Sequence, residues 1–252
     1  MDKKTIHEVA WLGDGYVKGR IKGVVLFFHG LGRIEMKYEP TTQELAFAEA
    51  GALVVHPYYG AWNWMNRQAR RFVDDLVDSI YHVYKLRASA PLISTGESMG
   101  GQCALLYTRY AAHPVAACTV NCPVCDLKFA FHERADVPRT IHFAFRGYKE
   151  DMETLLKEHS PVAQAANFPD IPFQIIHGVH DTGVVKSKHS DKLVPLLRKS
   201  GIKVEYLEVA EMNHCSPMPP SVWKRQTDFV CEHLEDSPLT HHDRRYSSNS
   251  AR

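Results

Sequence analysis

From Val24 onward, the sequence alternates short apolar runs with longer segments of helical periodicity, and this alternation restricts the possible folds more than any other feature. Five of the runs have the length and composition of buried strands: residues 24–28, 52–56, 92–95, 115–120 and 172–177. Strands that are buried on both faces pair in parallel and are joined by helical crossovers. The sequence therefore predicts an α/β protein with a mostly parallel central sheet and helices on both faces.

Two further segments extend the predicted sheet. Residues 203–209 alternate more strictly between apolar and polar side chains, which indicates a strand near a sheet edge. Residues 8–21 are interrupted by Gly13, Gly15 and Gly19, and we interpret them as an antiparallel hairpin that leads into the sheet. With the hairpin counted, the segment 115–120 is the sixth strand.

Several helix boundaries have recognisable signals. Thr41 and Glu44 form a possible capping box, and Gly51 stands where a left-handed residue would end that helix. Apolar residues at helical spacing between Ala69 and Tyr84 give the strongest helix signal in the chain. Each of these signals lies between two predicted strands, as a parallel sheet requires.

Two later helices have less regular signals. Ser221 is a candidate N-cap for a final helix. Pro195 lies inside a helical pattern between Lys186 and Gly201, so we expect a kink or a break at Pro195.

Residues 126–170 do not follow the alternation of strands and helices. This segment is too long for a simple connection and is rich in aromatic residues, so we predict a helical excursion that caps the sheet after the sixth strand. Residues 238–252 are polar and aperiodic, which predicts a disordered tail. The chain is thus expected to form one α/β domain over residues 1–237, with the excursion as an insertion.

Composition excludes several classes of partner. The 30 Lys and Arg residues are balanced by 29 Asp and Glu residues, so no overall field favours nucleic acid or an acidic membrane surface. No apolar run approaches the length of a membrane span, and the first ten residues do not resemble a signal sequence. We therefore expect a cytoplasmic protein that binds neither nucleic acid nor membrane. The sequence does not indicate an oligomeric state.

The pentapeptide Gly96-Glu97-Ser98-Met99-Gly100 lies between a predicted strand and a predicted helix. A strand that turns sharply into a helix needs small residues on both sides of the turn, and it exposes the central serine in a strained conformation. This context favours Ser98 as a nucleophile over a surface serine in a glycine turn. Because a serine hydroxyl is a weak nucleophile at neutral pH, a base must lie within hydrogen-bonding distance.

The turn His29-Gly30-Leu31-Gly32 directly follows the strand at 24–28. Its glycines permit backbone conformations that would direct the Leu31 amide at the site, and the Met99 amide would be a second donor. Together these two amides are the predicted oxyanion hole. His29 itself is interpreted as a buried structural histidine.

An acid and a base follow Ser98 in the chain. Asp181 comes just after the strand at 172–177, and His214 lies in the loop after the strand at 203–209. The order Ser, Asp, His is that of the α/β-hydrolase triad and differs from chymotrypsin-like and subtilisin-like sites. Asp126, which follows the strand at 115–120, is a rival acid whose alternative role is to cap the excursion.

Four short motifs carry a family resemblance: GESMG, HGLG, IIHGVHDTGV and MNHCSP. Together they resemble the α/β-hydrolase superfamily, and the segment from Ser160 through IPFQIIHGVHD is similar to its prolyl-oligopeptidase-like branch and small esterase relatives. The resemblance implies Ser98 as nucleophile, Asp181 as acid, His214 as base, and the Leu31 and Met99 amides as oxyanion hole. The sequence has no large N-terminal propeller, which favours a small ester over a peptide. A serine at the nucleophile position argues against dienelactone hydrolases.

Aromatic and basic residues near the predicted strand ends are candidates for substrate binding. We select Tyr58, Trp62 and Phe129 as possible walls of an acyl or aromatic pocket, while core packing is an equal alternative for Trp62 and Trp64. Three arginines of the excursion could meet an anionic substrate, although a solvated face is the more ordinary role: Arg134, Arg139 and Arg146.

Cysteine spacing suggests one alternative chemistry. Cys118, Cys122 and Cys125 have a spacing seen in iron–sulfur enzymes, but Cys118 belongs to a predicted buried strand and cannot share one loop with the others. Cys122 and Cys125 could instead line a pocket. The sequence therefore gives no reason to expect a metal or a cofactor.

The predicted function is a serine hydrolase that cleaves a small ester or short acyl substrate through an acyl-enzyme. The alternatives are a peptidase of the same fold, an acyltransferase of the same fold, and a binding protein without catalytic activity. With His214 as the base, kcat/KM is expected to fall below a pH near the histidine reference value of about 6.5.

Overall fold

The computed structural model describes residues 1–37 and 39–234 of the chain. Its centre is a seven-stranded sheet with the order β1-β3-β2-β4-β5-β6-β7. All neighbouring strands are parallel except β1, which pairs antiparallel with β3. The strands are β1 Ala10–Leu12, β2 Gly23–Phe28, β3 Ala52–Pro57, β4 Leu92–Glu97, β5 Ala117–Asn121, β6 Phe173–Gly178 and β7 Val204–Val209.

Ten α-helices accompany the sheet in the described residues. They are α1 Lys3–Val9, α2 Thr42–Ala50, α3 Arg67–Val83, α4 Met99–Tyr110, α5 Leu127–Glu133, α6 Val137–Ala144, α7 Met152–Glu158, α8 Pro161–Gln164, α9 Ser190–Lys199 and α10 Pro220–Glu232. None of these helices combines the length and the hydrophobicity needed to span a bilayer.

The core consists of apolar layers on the two faces of the sheet. Val24 and Leu26 of β2 point into a large layer that also contains Leu76 of α3. Val25, between them, points to the opposite face and packs in a second layer with Val230 of α10. This alternation follows from the two-residue period of a strand, and it confirms helices on both faces of a mostly parallel sheet.

All six strands predicted from residue 24 onward are present, and β7 lies at the predicted sheet edge. The capping box is also confirmed: the Thr41 amide donates to Glu44 Oε2 (2.6 Å), and the Glu44 amide donates to Thr41 Oγ1 (3.3 Å). Gly51 ends α2 with a φ of 104°, a left-handed conformation that favours glycine.

The predicted hairpin over residues 8–21 is wrong. Helix α1 covers the first two residues of this segment, Glu8 and Val9, and only Ala10–Leu12 forms a strand. Asp14–Tyr16 then forms a single 3₁₀ turn. The glycines therefore mark an irregular connection rather than a second strand, so the excursion follows the fifth strand and not the sixth.

Two predicted helix boundaries also need correction. Helix α9 contains Pro195, and the break lies earlier, at His189 between the 3₁₀ turn Lys186–Lys188 and α9. Helix α10 begins at Pro220 after Pro219 and has no side-chain cap, so Ser221 lies inside the helix. A proline in the first turn costs no hydrogen bond because that amide has no partner within the helix.

The excursion over residues 126–170 contains α5 to α8 and the 3₁₀ turn Ala165–Asn167. It is therefore helical, as predicted, although its action as a cap over a substrate stays a prediction. The predicted tail, 238–252, lies outside the described residues.

Candidate active site

Ser98 lies at the turn between β4 and α4. Its φ of 56° and ψ of −122° are strained for a residue with a side chain. The backbone is tightly packed on both sides: a Cβ at Gly96 would lie 2.4 Å from the carbonyl oxygen of Gly100, and a Cβ at Gly100 would lie 2.0 Å from that of Phe28. Only glycine fits at these two positions, and the turn holds Ser98 Oγ at the carboxyl edge of the sheet.

Asp181 follows β6 in a turn at the same edge, and it is 5% exposed. Its Oδ1 accepts hydrogen bonds from the amides of Gly183 (2.8 Å) and Val184 (2.7 Å). The buried His177 places its Nε2 3.3 Å from Asp181 Oδ2. These donors fix the carboxylate in one orientation and stabilise its negative charge.

His214 connects Asp181 to Ser98. Its Nδ1 donates to Asp181 Oδ2 (2.8 Å), and Ser98 Oγ donates to its Nε2 (2.9 Å). The structure thus brings together the three side chains that the sequence analysis selected from segments more than thirty residues apart. Such an arrangement can remove the hydroxyl proton as the oxygen attacks a carbonyl.

Two glycines let the loops of Asp181 and His214 approach each other. A Cβ at Gly178 would lie 2.3 Å from the carbonyl oxygen of Met212, and one at Gly183 would lie 3.1 Å from Cγ of His214. The backbone at Gly183 therefore lies close to the imidazole, and a side chain there would press on the ring.

The electrostatics of the site follow from these contacts. Burial alone would raise the pKa of Asp181, but hydrogen bonds from two histidines and a backbone amide outweigh burial and hold that pKa far below its usual range. Partial burial tends to lower the pKa of His214, yet the contacts with Asp181 and the Cys122 thiol raise it to about 9. Asp181 is therefore a permanent anion that stabilises the imidazolium form of His214.

The two predicted oxyanion donors lie beside Ser98. Met99 is the first residue of α4, and a Cβ placed on Gly30, next to Leu31, would lie 3.9 Å from Cβ of Ser98. Neither the Leu31 nor the Met99 amide donates a hydrogen bond to a protein acceptor within residues 1–37 and 39–234. Two unused amides next to the hydroxyl are what binding of a developing oxyanion requires.

Two cysteines lie against His214, and the sequence analysis identified only one of them as a pocket candidate. The Cys215 amide donates to Cys122 Sγ (3.3 Å). Hydrogen bonds from Cys215 and, to a smaller extent, from His214 lower the pKa of the Cys122 thiol to about 5. Burial alone would raise this pKa. Cys122 thus adds negative charge behind the imidazole. Its position after β5 signalled this location, whereas nothing in the sequence around Cys215 did.

The other cysteines of the iron–sulfur alternative lie apart. Burial raises the pKa values of Cys118, inside β5, and Cys125, whose amide donates to His189 (3.1 Å). Among the described residues, two groups have donor atoms within 4.8 Å of one another and could hold a metal ion: Cys122 with His214 and Cys215, and Cys122 with His177 and Asp181. Both groups share side chains with the hydrogen-bonded chain above, and we assign no metal to them.

The remaining sequence candidates have structural roles. Asp126, the rival acid, accepts from the Phe129 amide (2.9 Å) at the start of α5 and pairs with Lys192 (2.9 Å). It caps the excursion, which was its alternative role. His29 is buried and its Nδ1 bonds to the Gly30 carbonyl (2.9 Å), but its Nε2 has no hydrogen-bond partner in the described structure.

A cavity of about 560 Å³ opens above Ser98. Both His214 and Ser98 border it, and its other walls come from the HGLG turn, the segment after β3 and the excursion. The lining residues are Gly30, Leu31, Gly32, Ile34, Ala61, Trp62, Glu97, Ser98, Arg134, Asp136, Arg139, Thr140, His214 and Cys215.

Of the three predicted substrate-binding residues, only Trp62 lines this cavity. Tyr58 is 42% exposed, and its amide bonds to the Val9 carbonyl (3.0 Å), which holds it next to β1 and away from Ser98. Phe129 lies in the first turn of α5 and packs edge-on against His189, with ring centroids 5.8 Å apart. Tyr58 and Phe129 thus do not line this cavity, because an aromatic residue after a strand end can face either way.

Four charged residues of the cavity wall were overlooked in the sequence analysis or assigned there to a solvated face: Glu97, Arg134, Asp136 and Arg139. Glu97 could have been found, since it precedes Ser98 in the turn. The other three line the cavity because of how α6 packs against the rest of the domain, and no local sequence pattern reveals that packing.

The family model described as the prolyl oligopeptidase family matches residues 62–237, which is more than half of the chain and includes Ser98, Asp181 and His214. No curated protein sequence matches the chain.

Solved structures show the same fold at low sequence identity. An acylaminoacyl peptidase from Pyrococcus horikoshii superposes with a TM-score of 0.73 at 13% identity, over 92% of this chain and 40% of that one. A puromycin-hydrolyzing peptidase of Mycobacterium tuberculosis gives 0.70 at 19% identity, over 88% and 36%. A truncated carbohydrate esterase from gut microbiota gives 0.66 at 18% identity, over 89% and 90%.

This chain thus spans about two-fifths of the length of the peptidases that it resembles. These likenesses establish the α/β-hydrolase fold that the motifs implied. Together with the family match, they show that the chain belongs to the prolyl oligopeptidase family.

Proposed function

We propose that this chain is a serine hydrolase that cleaves carboxylic esters through an acyl-enzyme. The observation that carries the proposal is the continuous hydrogen-bonded chain from Asp181 through His214 to Ser98 at the floor of an open cavity. A buried carboxylate, an imidazole and a strained serine hydroxyl in this order have the geometry of a nucleophilic triad.

The reaction has two stages. Ser98 Oγ attacks the ester carbonyl as His214 Nε2 takes its proton, and the Leu31 and Met99 amides bind the resulting oxyanion. The imidazolium then gives its proton to the leaving alcohol, which leaves the acyl group on Ser98. Water, deprotonated by the same imidazole, attacks the acyl-enzyme; the bond to Ser98 Oγ breaks, the imidazolium returns the proton to Oγ, and the acid is released.

The test of this proposal is covalent labelling with a fluorophosphonate, which phosphonylates an activated serine and loses fluoride. We expect rapid labelling that maps to Ser98, and hydrolysis of short p-nitrophenyl esters that stops as labelling proceeds. Protein denatured before labelling is the control. A folded protein that stays unlabelled would favour the alternative of a binding protein that keeps the fold without chemistry.

A peptidase is the second candidate, because two of the similar structures are described as peptidases and the family is named for one. Matched p-nitrophenyl esters and p-nitroanilides of the same acyl groups separate the two activities. Transfer to another acceptor is detected by product analysis with added alcohols or amines.

The pH dependence follows from the pKa of His214. Only the neutral imidazole can accept the Ser98 proton, and the structure raises the pKa of His214 to about 9. We therefore expect kcat/KM to rise with pH through about 9, well above the reference value of about 6.5 for a free histidine. Initial rates at low ester concentration from pH 6 to 10 measure this, and a plateau already reached at pH 7.5 would contradict it.

Cys122 provides a separate check of the same electrostatics. The Cys122 thiolate contributes to the raised pKa of His214. In Cys122→Ala, the rise of kcat/KM with pH should therefore occur at lower pH. Cys231→Ala, on α10, removes a thiol that does not contact His214, and the pH at which kcat/KM rises should stay unchanged.

A further inference from the structure

The cavity above Ser98 has an uneven distribution of charge. Two arginines of the excursion border it, Arg134 and Arg139, together with the acids Asp136 and Glu97. Because charges lining a cavity are screened less than charges in bulk water, each unbalanced charge affects which substrate can enter.

Arg134 and Asp136 neutralise each other. Arg134 Nε donates to Asp136 Oδ1 (3.0 Å), and its Nη2 donates to Oδ2 (2.6 Å). This two-point geometry uses both carboxylate oxygens and lowers the pKa of Asp136, so the acid stays ionised. Neither residue of the pair leaves a strong net charge for a ligand.

Arg139 has no such partner. Within the described residues its guanidinium makes neither a hydrogen bond nor an ion pair. It lies instead over the indole of Trp62, with the guanidinium carbon 5.9 Å from the ring centroid. An arginine stacked on an aromatic ring keeps its N–H groups available at the edge of the guanidinium plane.

The groups around Arg139 are themselves held in place by packing and hydrogen bonds. The Trp62 ring packs edge-on against Phe143 of the same helix, with centroids 5.6 Å apart. Next to Arg139, the buried Thr140 accepts a hydrogen bond from Trp64 Nε1 (2.9 Å) and donates to the Val137 carbonyl (2.7 Å). These contacts tie α6 to the core, so the helix that carries Arg139 has a fixed position beside the cavity.

Glu97 does not cancel this charge. It lies beside Ser98, where burial raises the pKa of its carboxyl, and the charges that oppose this rise are those of His214 and Arg33. It makes no hydrogen bond or ion pair with Arg139. In the part of the chain that the structure describes, no carboxylate binds the Arg139 guanidinium directly, and its charge acts on Asp136 only through space. The cavity therefore presents a cation without an ion-pair partner on the wall formed by Trp62 and α6.

We propose that Arg139 binds a carboxylate of the substrate, so that the preferred esters are those that carry an anionic group beside an apolar segment. The apolar segment would lie against Trp62 while the guanidinium pairs with the anion. This inference names the substrate class of the proposed function and rests on it.

Binding to the Ser98→Ala protein tests the inference without turnover. Monobenzyl adipate carries a free carboxylate, and benzyl methyl adipate carries the same group masked as a neutral ester. We expect calorimetry to show at least tenfold tighter binding of the anionic ester, roughly the effect of one charge-assisted hydrogen bond in a partly exposed site. Equal affinities would overturn the inference.

Variants assign the effect to one residue. Adding Arg139→Gln should reduce the affinity ratio of the two esters to about one, and Arg139→Lys should retain part of it through its charge alone. Arg146→Gln is the matched control, since Arg146 is also exposed, follows α6 and lies over Phe143, but is not part of the cavity wall. A ratio that survives Arg139→Gln, or one lost equally in Arg146→Gln, would contradict the proposal.

The two possible failures can be told apart. If the proposed function is wrong, the wild-type chain neither hydrolyses esters nor reacts with a fluorophosphonate, whatever the binding ratio. If only this inference is wrong, neutral esters are hydrolysed and the carboxylate gives no advantage in binding.

Discussion

Replacement of Ser98 by alanine is expected to lower kcat/KM for p-nitrophenyl esters by about 10⁴- to 10⁶-fold, the range in which removal of a single triad residue lowers turnover. We expect so large a loss because, in the proposed reaction, Ser98 Oγ forms the covalent bond to the acyl group, and neither His214 nor the oxyanion amides can replace it. Stopped or endpoint assays of ester hydrolysis measure the change.

The same substitution should leave the fold intact. Ser98 makes one side-chain hydrogen bond, to His214, and the close backbone contacts of the turn belong to its glycines. Thermal unfolding should therefore occur near the wild-type temperature. Ser221→Ala is the matched control, because Ser221 is an exposed serine of α10 without a capping role, and its activity should be unchanged. Wild-type turnover by Ser98→Ala would refute the assigned nucleophile.

The positions of Ser98, Asp181 and His214 could be inferred from sequence because the constraint on each is local. A parallel sheet places the carboxyl ends of its strands at one edge, so a residue just after a strand is directed to that edge. Ser98 follows β4, Asp181 follows β6 and His214 follows β7. Their order in the chain, Ser, Asp and then His, matches the α/β-hydrolase triad and not the chymotrypsin-like or subtilisin-like triads.

The cavity wall could not be inferred in this way. Tyr58 and Trp62 both follow β3, yet only Trp62 lines the cavity, because a hydrogen bond to Val9 holds the backbone at Tyr58 toward the far edge. Arg139 lines it because α6 is tied to Trp64 through Thr140. Such packing between distant segments has no periodic signal.

The contacts around His214 show the same limit. Cys215 is the covalent neighbour of His214, and its amide meets the sulfur of Cys122, a residue that follows a different strand. The raised pKa of His214 depends on the contacts of its imidazole with Asp181 and with Cys122. A sequence-based expectation near the ordinary histidine value therefore missed the direction of the shift.

Gly100→Ala is expected to damage both stability and catalysis. A Cβ at Gly100 would lie 2.0 Å from the carbonyl oxygen of Phe28, a backbone atom that no side-chain rotation can move. Relief requires α4 and the end of β2 to separate, and overpacking of this kind costs about 1–3 kcal/mol. We expect the midpoint of thermal unfolding to fall by about 2–4 °C for each kcal/mol lost, in a chain of this size.

The catalytic loss should exceed what the lost stability explains. The two segments that must separate carry the two proposed oxyanion donors, since Met99 precedes Gly100 and Leu31 lies three residues after Phe28. Spreading them weakens both hydrogen bonds to the oxyanion, and the loss of one such donor alone lowers kcat about 10²- to 10³-fold. Gly15→Ala is the control, because a Cβ there meets nothing within 4 Å. If Gly100→Ala kept wild-type kcat at a temperature where it is fully folded, the Leu31 and Met99 amides could not be the groups that bind the oxyanion.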